Sequence, residues 1–200
     1  MATGTFTLAD LKVLAAQLST LVLSTSDIKG GRVGSISDED SIIAAIKALN
    51  KYNVREVPKG CWFDVQINGA PVQIKSSRCD RADNFSSKAG VLWAVTNLSE
   101  AEILSRTSKS WLNFRNILMA AEAHPGHRDF LILVFNKRTK IFLATSLQSV
   151  SVFTPNGSNL PFQIYWGGPN KVAVWHSAAA SYELIKNAYL ESLEKWKKSH

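Results

Sequence analysis

The stretch CWFDVQINGAPVQIKSS, residues 61–77, decides how this chain reads. Asn68-Gly69 separates two runs of alternating residues, and Asn-Gly is the strongest short-range signal for a two-residue type I′ turn, whose central positions both need φ > 0. The turn predicts Ile67 opposite Ala70. Counting outward then sets Asp64 opposite Gln73, with Lys75 two residues further along the same face. Directly opposed residues hold their Cβ atoms about 4.5–5.5 Å apart. Alternation groups Trp62, Asp64, Gln66, Gln73 and Lys75 on one face, and Cys61, Phe63, Val65, Ile67, Val72 and Ile74 on the other, which faces the core.

A carboxylate, an amide oxygen and an ammonium gathered on one face suit phosphodiester cleavage. Carboxylate and amide oxygens are hard ligands for Mg²⁺, which binds through one or two carboxylates plus phosphate oxygens and keeps several waters. Such a metal lowers the pKa of a bound water and offsets charge building on the phosphate. A neighbouring Lys can orient that water or stabilise the same charge. The plainer reading is a half-exposed hairpin with a polar face, and the pattern alone leaves both open.

Around the hairpin, Thr7 reads as the N-cap of a helix over 7–23, with Leu8, Leu11, Leu14, Leu18 and Leu21 at helical spacing. A basic Gly-rich loop, SDIKGGRVGS, follows. Ser37 reads as the cap of a second helix to about Asn50, with Ile42, Ile43, Ile46 and Leu49 as its buried stripe. After the hairpin come a polar loop over 77–88, the apolar run GVLWAVT read as a strand, and a long helix from a Ser99/Glu102 capping box to about Ala121. Beyond the turn HPGH, the segments FLILVF, KIFLATS, SVF, FQIYW and KVAVW read as strands, and 182–196 as a last helix burying Ile185, Tyr189 and Leu193. The order predicts an α/β (α+β) protein with a mixed central β-sheet flanked by helices, in one domain over 1–200 with no dividing linker.

Composition narrows the partners. The 200 residues are 46% hydrophobic and 20% charged, as in a globular protein, with no apolar run long enough to span a bilayer. The segment 7–23 is interrupted by Asp10, Lys12, Gln17 and Ser19 and lacks a basic lead-in, so it reads as a helix of the fold and not a signal peptide. Two cysteines, Cys61 and Cys79, are too few for a disulfide framework or a cysteine-rich zinc site, and they point to a reducing cytoplasm. A net charge of +7 favours polyanions.

FDVQINGAPVQIK, residues 63–75, resembles the core motif of the PD-(D/E)xK nuclease superfamily: an Asp bordering one strand, then acidic-x-Lys on the next. The continuation SSRCDRADNFSSKAGVLWAVTN is similar to type II restriction endonucleases, and the likeness covers roughly residues 35–150. Phe63 stands where the motif has Pro, and Gln73 where it has Glu or Asp. The resemblance implies that Asp64 is a metal ligand, Gln73 a neutral ligand or positioning group, and Lys75 the residue that orients the attacking water. It also implies a second carboxylate from the helix before the hairpin. In DEDSIIAAI, Glu39 lies three and four residues before Ile42 and Ile43 and is the expected ligand, because an acid on a buried stripe needs a partner. Asp38 and Asp40 read as pointing further round, and all three acids also suit a helix N-terminus.

The expected partner is double-stranded DNA. Candidate contacts are Arg78, Arg81, Asn84 and Lys88 in the loop after the hairpin, and the stripe Arg106, Lys109, Asn113 and Asn116 opposite Trp111, Phe114 and Leu118. To these are added Lys137 and Arg138 in the turn Asn136-Lys137-Arg138, and the segment PNGSNLPFQ. Arg and Lys suit guanine, Asn and Gln suit adenine. His124 and His127 in AHPGHRD have a metal-like spacing, but a helix-to-strand turn accounts for them.

Taken with the resemblance, the expectation is a Mg²⁺-dependent restriction endonuclease. One such site cuts one strand, so a homodimer on a twofold-symmetric target is expected. A DNA-binding module with a decayed site, signalled by Gln73, and a structure-selective repair or recombination nuclease are the alternatives.

Overall fold

Asn68 (φ 47°) and Gly69 (φ 88°) both lie in the left-handed region that a type I′ turn requires. The hairpin forms in the expected register, Ile67 opposite Ala70 and Val65 opposite Val72. This computed structural model describes residues 6–21, 32–85, 87–106, 111–126, 128–157, 162–170 and 174–199, with side chains except at 32–37, 111, 112 and 199. In chain order the elements are α1 (Leu8–Ser19), α2 (Arg32–Ala48), β1 (Val54–Glu56), β2 (Val65–Ile67), β3 (Ala70–Ser77), β4 (Asp83–Phe85), α3 (Lys88–Val95) and α4 (Glu100–Arg106). They continue with α5 (Trp111–Ala120), β5 (Leu131–Asn136), β6 (Phe142–Ser146), a 3-10 turn (Leu147–Ser149), β7 (Phe153–Pro155), β8 (Phe162–Ile164) and α6 (Ala178–Ser199). The protein is thus mixed α and β, as expected. Its elements group into two compact units, Met1–Arg78 with Leu131–Ser146 and Cys79–Phe130 with Leu147–His200. Each unit draws on two separate stretches of chain, so no one linker marks them in the sequence.

The first unit holds a five-stranded sheet in the order β1-β2-β3-β5-β6. Only β3 and β5 pair in parallel, with Gln73 beside Ile132 and Lys75 beside Val134. Leu131, Ile132, Leu133 and Val134 are all buried, which explains the unbroken apolar run of β5. One face of the sheet, with Val65, Ile67, Val72, Ile74, Leu131 and Leu133, packs in one core with Leu11, Leu14 and Leu18 of α1 and Ile42 and Ile46 of α2. Each fully buried aliphatic side chain contributes about 1.5–3 kcal/mol over its exposed state. Thr7 caps α1 as expected, its N–H donating to Asp10 Oδ2 at 2.8 Å and its hydroxyl accepting from the Asp10 N–H. The helix stops at Ser19, short of Leu23, and Leu21 is exposed.

The second unit holds a three-stranded antiparallel sheet, β4-β8-β7. Its inner face is aromatic: Phe85 stacks on Phe162 at 6.1 Å, and Phe153 meets Phe162 edge-on at 4.8 Å. Ile185 and Tyr189 of α6 are buried, and the Tyr182 hydroxyl donates to the Leu118 carbonyl at 2.7 Å.

Several expectations are corrected. Helix α2 begins at Arg32, so Ser37 lies inside it and is no cap. GVLWAVT is not a strand but most of α3, where Val91, Leu92, Ala94 and Val95 are all buried. A continuous apolar run has no period to distinguish a buried helix from a buried strand. The expected long helix is seen as two segments, α4 and α5; 107–110 lie outside the described residues, as do 26–31 of the Gly-rich loop and 171–173 of KVAVW. Val174 and Trp175 are exposed and not in a strand, and α6 starts four residues before Tyr182.

Candidate active site

Strand β2 begins only at Val65 because Asp64 diverts the pairing. The Asp64 N–H donates to the Val72 carbonyl at 3.1 Å, but the Ile74 N–H goes to the Asp64 carboxylate at 2.6 Å, where a continuing strand would offer a backbone carbonyl. Gln73 donates its amide N–H to the same oxygen, Oδ2. The Asp64 carboxylate therefore lies beside the Gln73 amide, but the direct pairing that counting from Asn68-Gly69 predicts does not form: the register stops at Val65 opposite Val72, and the Asp64 N–H also turns to Val72. Both bonds fall on Oδ2, which leaves Oδ1 outside them. Residues 61–64 do not continue the alternation outward: Trp62 is buried and edge-on to Phe63, whereas Cys61 is exposed and Phe63 half-buried. The expected assignment of Trp62 to the polar face and Cys61 and Phe63 to the core is thus corrected, because strand pairing ends before them.

Gln73 is only 5% exposed, so its amide is held in one place by its surroundings and by Asp64. Glu39 of α2 joins this group electrostatically. Its carboxyl is pushed up to about 7 by burial first and then by the negative charge of Asp64, against the pull of Lys75. Burial likewise raises the Asp64 carboxyl, opposed by Lys75, the Ile74 N–H and Gln73. Glu39 thus feels both the Asp64 charge and the Lys75 ammonium, and Asp64 feels the same ammonium, so the three groups share one electrostatic neighbourhood.

Asp38 was expected to point away and instead is completely buried. Its Oδ2 accepts from the Ser76 hydroxyl at 2.8 Å and pairs with Lys137 Nζ at 2.7 Å. Asp38, Ile42 and Ile46 occupy one i, i+4 row, all at 0% exposure, so the sequence did carry a signal for this burial. The helix-dipole account of these acids also falls, since 38–40 lie well past the first turn of a helix starting at Arg32. Asp38, Ser76 and Lys137 tie α2 to β3 and to the turn after β5, next to the residues that carry Glu39 and Lys75.

The proposed DNA contacts divide. Lys137 is committed to Asp38, and its backbone N–H bonds the Ser77 carbonyl at 2.7 Å. Asn113 donates its side-chain amide to the Arg106 carbonyl. Arg78, Arg81, Asn84, Arg106 and Arg138 are exposed, and Lys88 is half-buried at the start of α3. Lys109 and His127 lie outside the described residues. His124 accepts the Gly126 N–H on Nδ1 at 3.0 Å, which closes a local bend over 124–126, and Arg128 donates to the Trp93 and Leu98 carbonyls.

Among the described residues, no group of three or more His, Cys, Asp or Glu side chains is placed to hold a metal. The donor set here is smaller, two carboxylates and an amide. That set suits Mg²⁺, whose remaining positions are taken by water and phosphate. No protein-family model matches this chain, and no curated protein matches it in sequence. Among the described residues, no helix is long and apolar enough to cross a membrane.

Proposed function

We propose that this chain is a Mg²⁺-dependent endonuclease of restriction type acting on double-stranded DNA in the cytoplasm, as a homodimer. The observation that carries the reading is the joining of Asp64, Gln73, Lys75 and Glu39, from the segment leading into β2, from β3 and from α2, into one coupled group. Asp64 Oδ1 and the Glu39 carboxylate would hold the metal, which supplies water activation and charge neutralisation at the phosphate. Gln73 orients Asp64 through its amide N–H and, being neutral, lowers the negative charge of the site by one relative to Glu. The Lys75 ammonium stabilises the negative charge that grows on the phosphate oxygens as water adds to phosphorus and the P–O bond breaks. The net charge of +7 supports a polyanionic substrate.

The test is digestion of a long unmethylated duplex with and without Mg²⁺. Discrete Mg²⁺-dependent fragments are expected. Fragments without fixed ends would point to a nonspecific or structure-selective nuclease. Intact but bound DNA would favour the decayed module, a reading that rests on Gln73 spending its N–H on Asp64 at the position where the motif has an acid.

A further inference from the structure

The three-stranded sheet of the second unit carries a polar row on the face opposite its aromatic core. Asn84 pairs in register with Gln163, and Gln163 with Thr154 on the other side. Their strand neighbours Phe85, Phe162, Ile164 and Phe153 are buried, while Asn84 is exposed and Gln163 and Thr154 are half-buried. Within the row, Gln163 Nε2 donates to Asn84 Oδ1 at 2.8 Å. This bond uses one donor and one acceptor and fixes the two amides edge to edge. Among the described residues, Asn84 Nδ2 and Gln163 Oε1 make no other hydrogen bond. The coupled pair therefore keeps the whole Asn84 amino group as donor and the whole Gln163 carbonyl oxygen as acceptor, besides the second Gln163 N–H and one lone pair of Asn84 Oδ1, and exchanging the roles of the two amides would keep the same combination.

These two side chains line a cleft of about 470 Å³ together with Arg81, Ala82 and Asp83. Arg81 and Asp83 bring opposite charges to the lining, which suits a neutral polar ligand better than a bare phosphate. In the major groove, adenine offers N7 as acceptor beside the N6 amino donor, whereas guanine offers two acceptors. The uncommitted amino group and the uncommitted carbonyl oxygen together match the acceptor and donor of adenine, whereas guanine would leave the carbonyl oxygen without a donor, and the groove admits β-strands.

We infer that Asn84 and Gln163 form a bridged amide pair that reads the major-groove edge of one adenine in a DNA duplex. This rests on the proposed function for its substrate class and goes beyond it by naming the base and the two residues that select it. Mutual bonding holds both amides in their reading orientation before DNA arrives, so the order they need is present in the free protein.

The test is selection of bound sequences from duplexes with a randomised core, using the wild-type protein with Ca²⁺ replacing Mg²⁺. A position requiring adenine is expected, preferred about tenfold or more over other bases. Replacing that adenine by 7-deazaadenine, which lacks the N7 acceptor, or by purine, which lacks the amino group, should each weaken wild-type binding about fivefold or more. Asn84→Ala/Gln163→Ala should bind with the adenine preference gone and should not distinguish the analogues. Selection of a sequence without adenine, insensitivity of wild type to both analogues, or an unchanged preference in the double variant would overturn the inference while leaving duplex recognition intact. Binding of free adenosine monophosphate with no preference among duplexes would also overturn it. Failure to bind any duplex would overturn both the inference and the proposed function.

Discussion

Raising pH from 6 to 8 should tighten Mg²⁺ binding, and Glu39 sets the size of the effect. Its carboxyl titrates at about 7 because burial and Asp64 disfavour the charged form. A metal takes the ionised carboxylate, so binding must displace any proton present. With a titration point at about 7, Glu39 is about one-tenth ionised at pH 6, half at pH 7 and nine-tenths at pH 8. The apparent Mg²⁺ association constant should therefore rise about tenfold from pH 6 to pH 8, equivalent to about 1.4 kcal/mol. At pH 7 each metal bound should release about half a proton from this group. Titration calorimetry in two buffers of different ionisation enthalpy measures both quantities. Glu39→Gln should bind more weakly and lose most of this dependence. Without metal the sign for stability reverses. A carboxyl raised from 4.5 to about 7 favours the fold most below pH 4.5, and that contribution is lost as pH rises through about 7. Asp64, also raised, acts in the same direction. The metal-free protein should thus gain stability from these two groups on mild acidification, and Mg²⁺ should stabilise it most at pH 8. Equal Mg²⁺ affinity at pH 6 and pH 8 in the wild type would refute the coupling.

Four other outcomes are expected. Asp64→Ala or Lys75→Ala should abolish cleavage while changing duplex affinity by less than about tenfold, read by gel shift beside a cleavage assay, because most binding contacts lie elsewhere; full activity in either would remove the site. Lys137→Met should destabilise the protein by about 3–5 kcal/mol in urea unfolding, since it strands the fully buried Asp38. Asp38→Asn should cost less, because Lys137 keeps a quarter of its side chain in solvent, and the reverse order would show that the pair is not the reason Asp38 is tolerated. Duplex affinity should drop steeply between about 50 and 200 mM salt, and a flat response would argue against a polyanionic ligand. Sedimentation with a cognate duplex should show two chains per site, whereas one chain nicking one strand would contradict the dimer.

Local chemistry made much of this protein legible in its sequence. Asn68-Gly69 admits one turn, and the turn admits one register, which holds as far as Val65 opposite Val72 and brings the Asp64 side chain within reach of Gln73 without pairing the two residues directly; each step needs only residues within about ten positions of one another. Thr7 with Asp10, and the spacing of Leu11, Leu14 and Leu18, are equally local, and both formed as read. Tertiary structure decided what depends on partners distant in sequence. Ser37 followed by three acids has the composition of a helix start, yet the residues before it continue the helix, and burial of Asp38 depends on Ser76 and Lys137, 38 and 99 positions away. GVLWAVT, a near-continuous apolar run, carries no period, so its helical form came from its surroundings, which bury five of its seven residues completely. The coupling of Glu39 to Asp64 and the joining of Asn84 to Gln163 likewise exist only where chain folding brings separate segments together, because a charge or an amide acquires its effect from the groups that replace water around it.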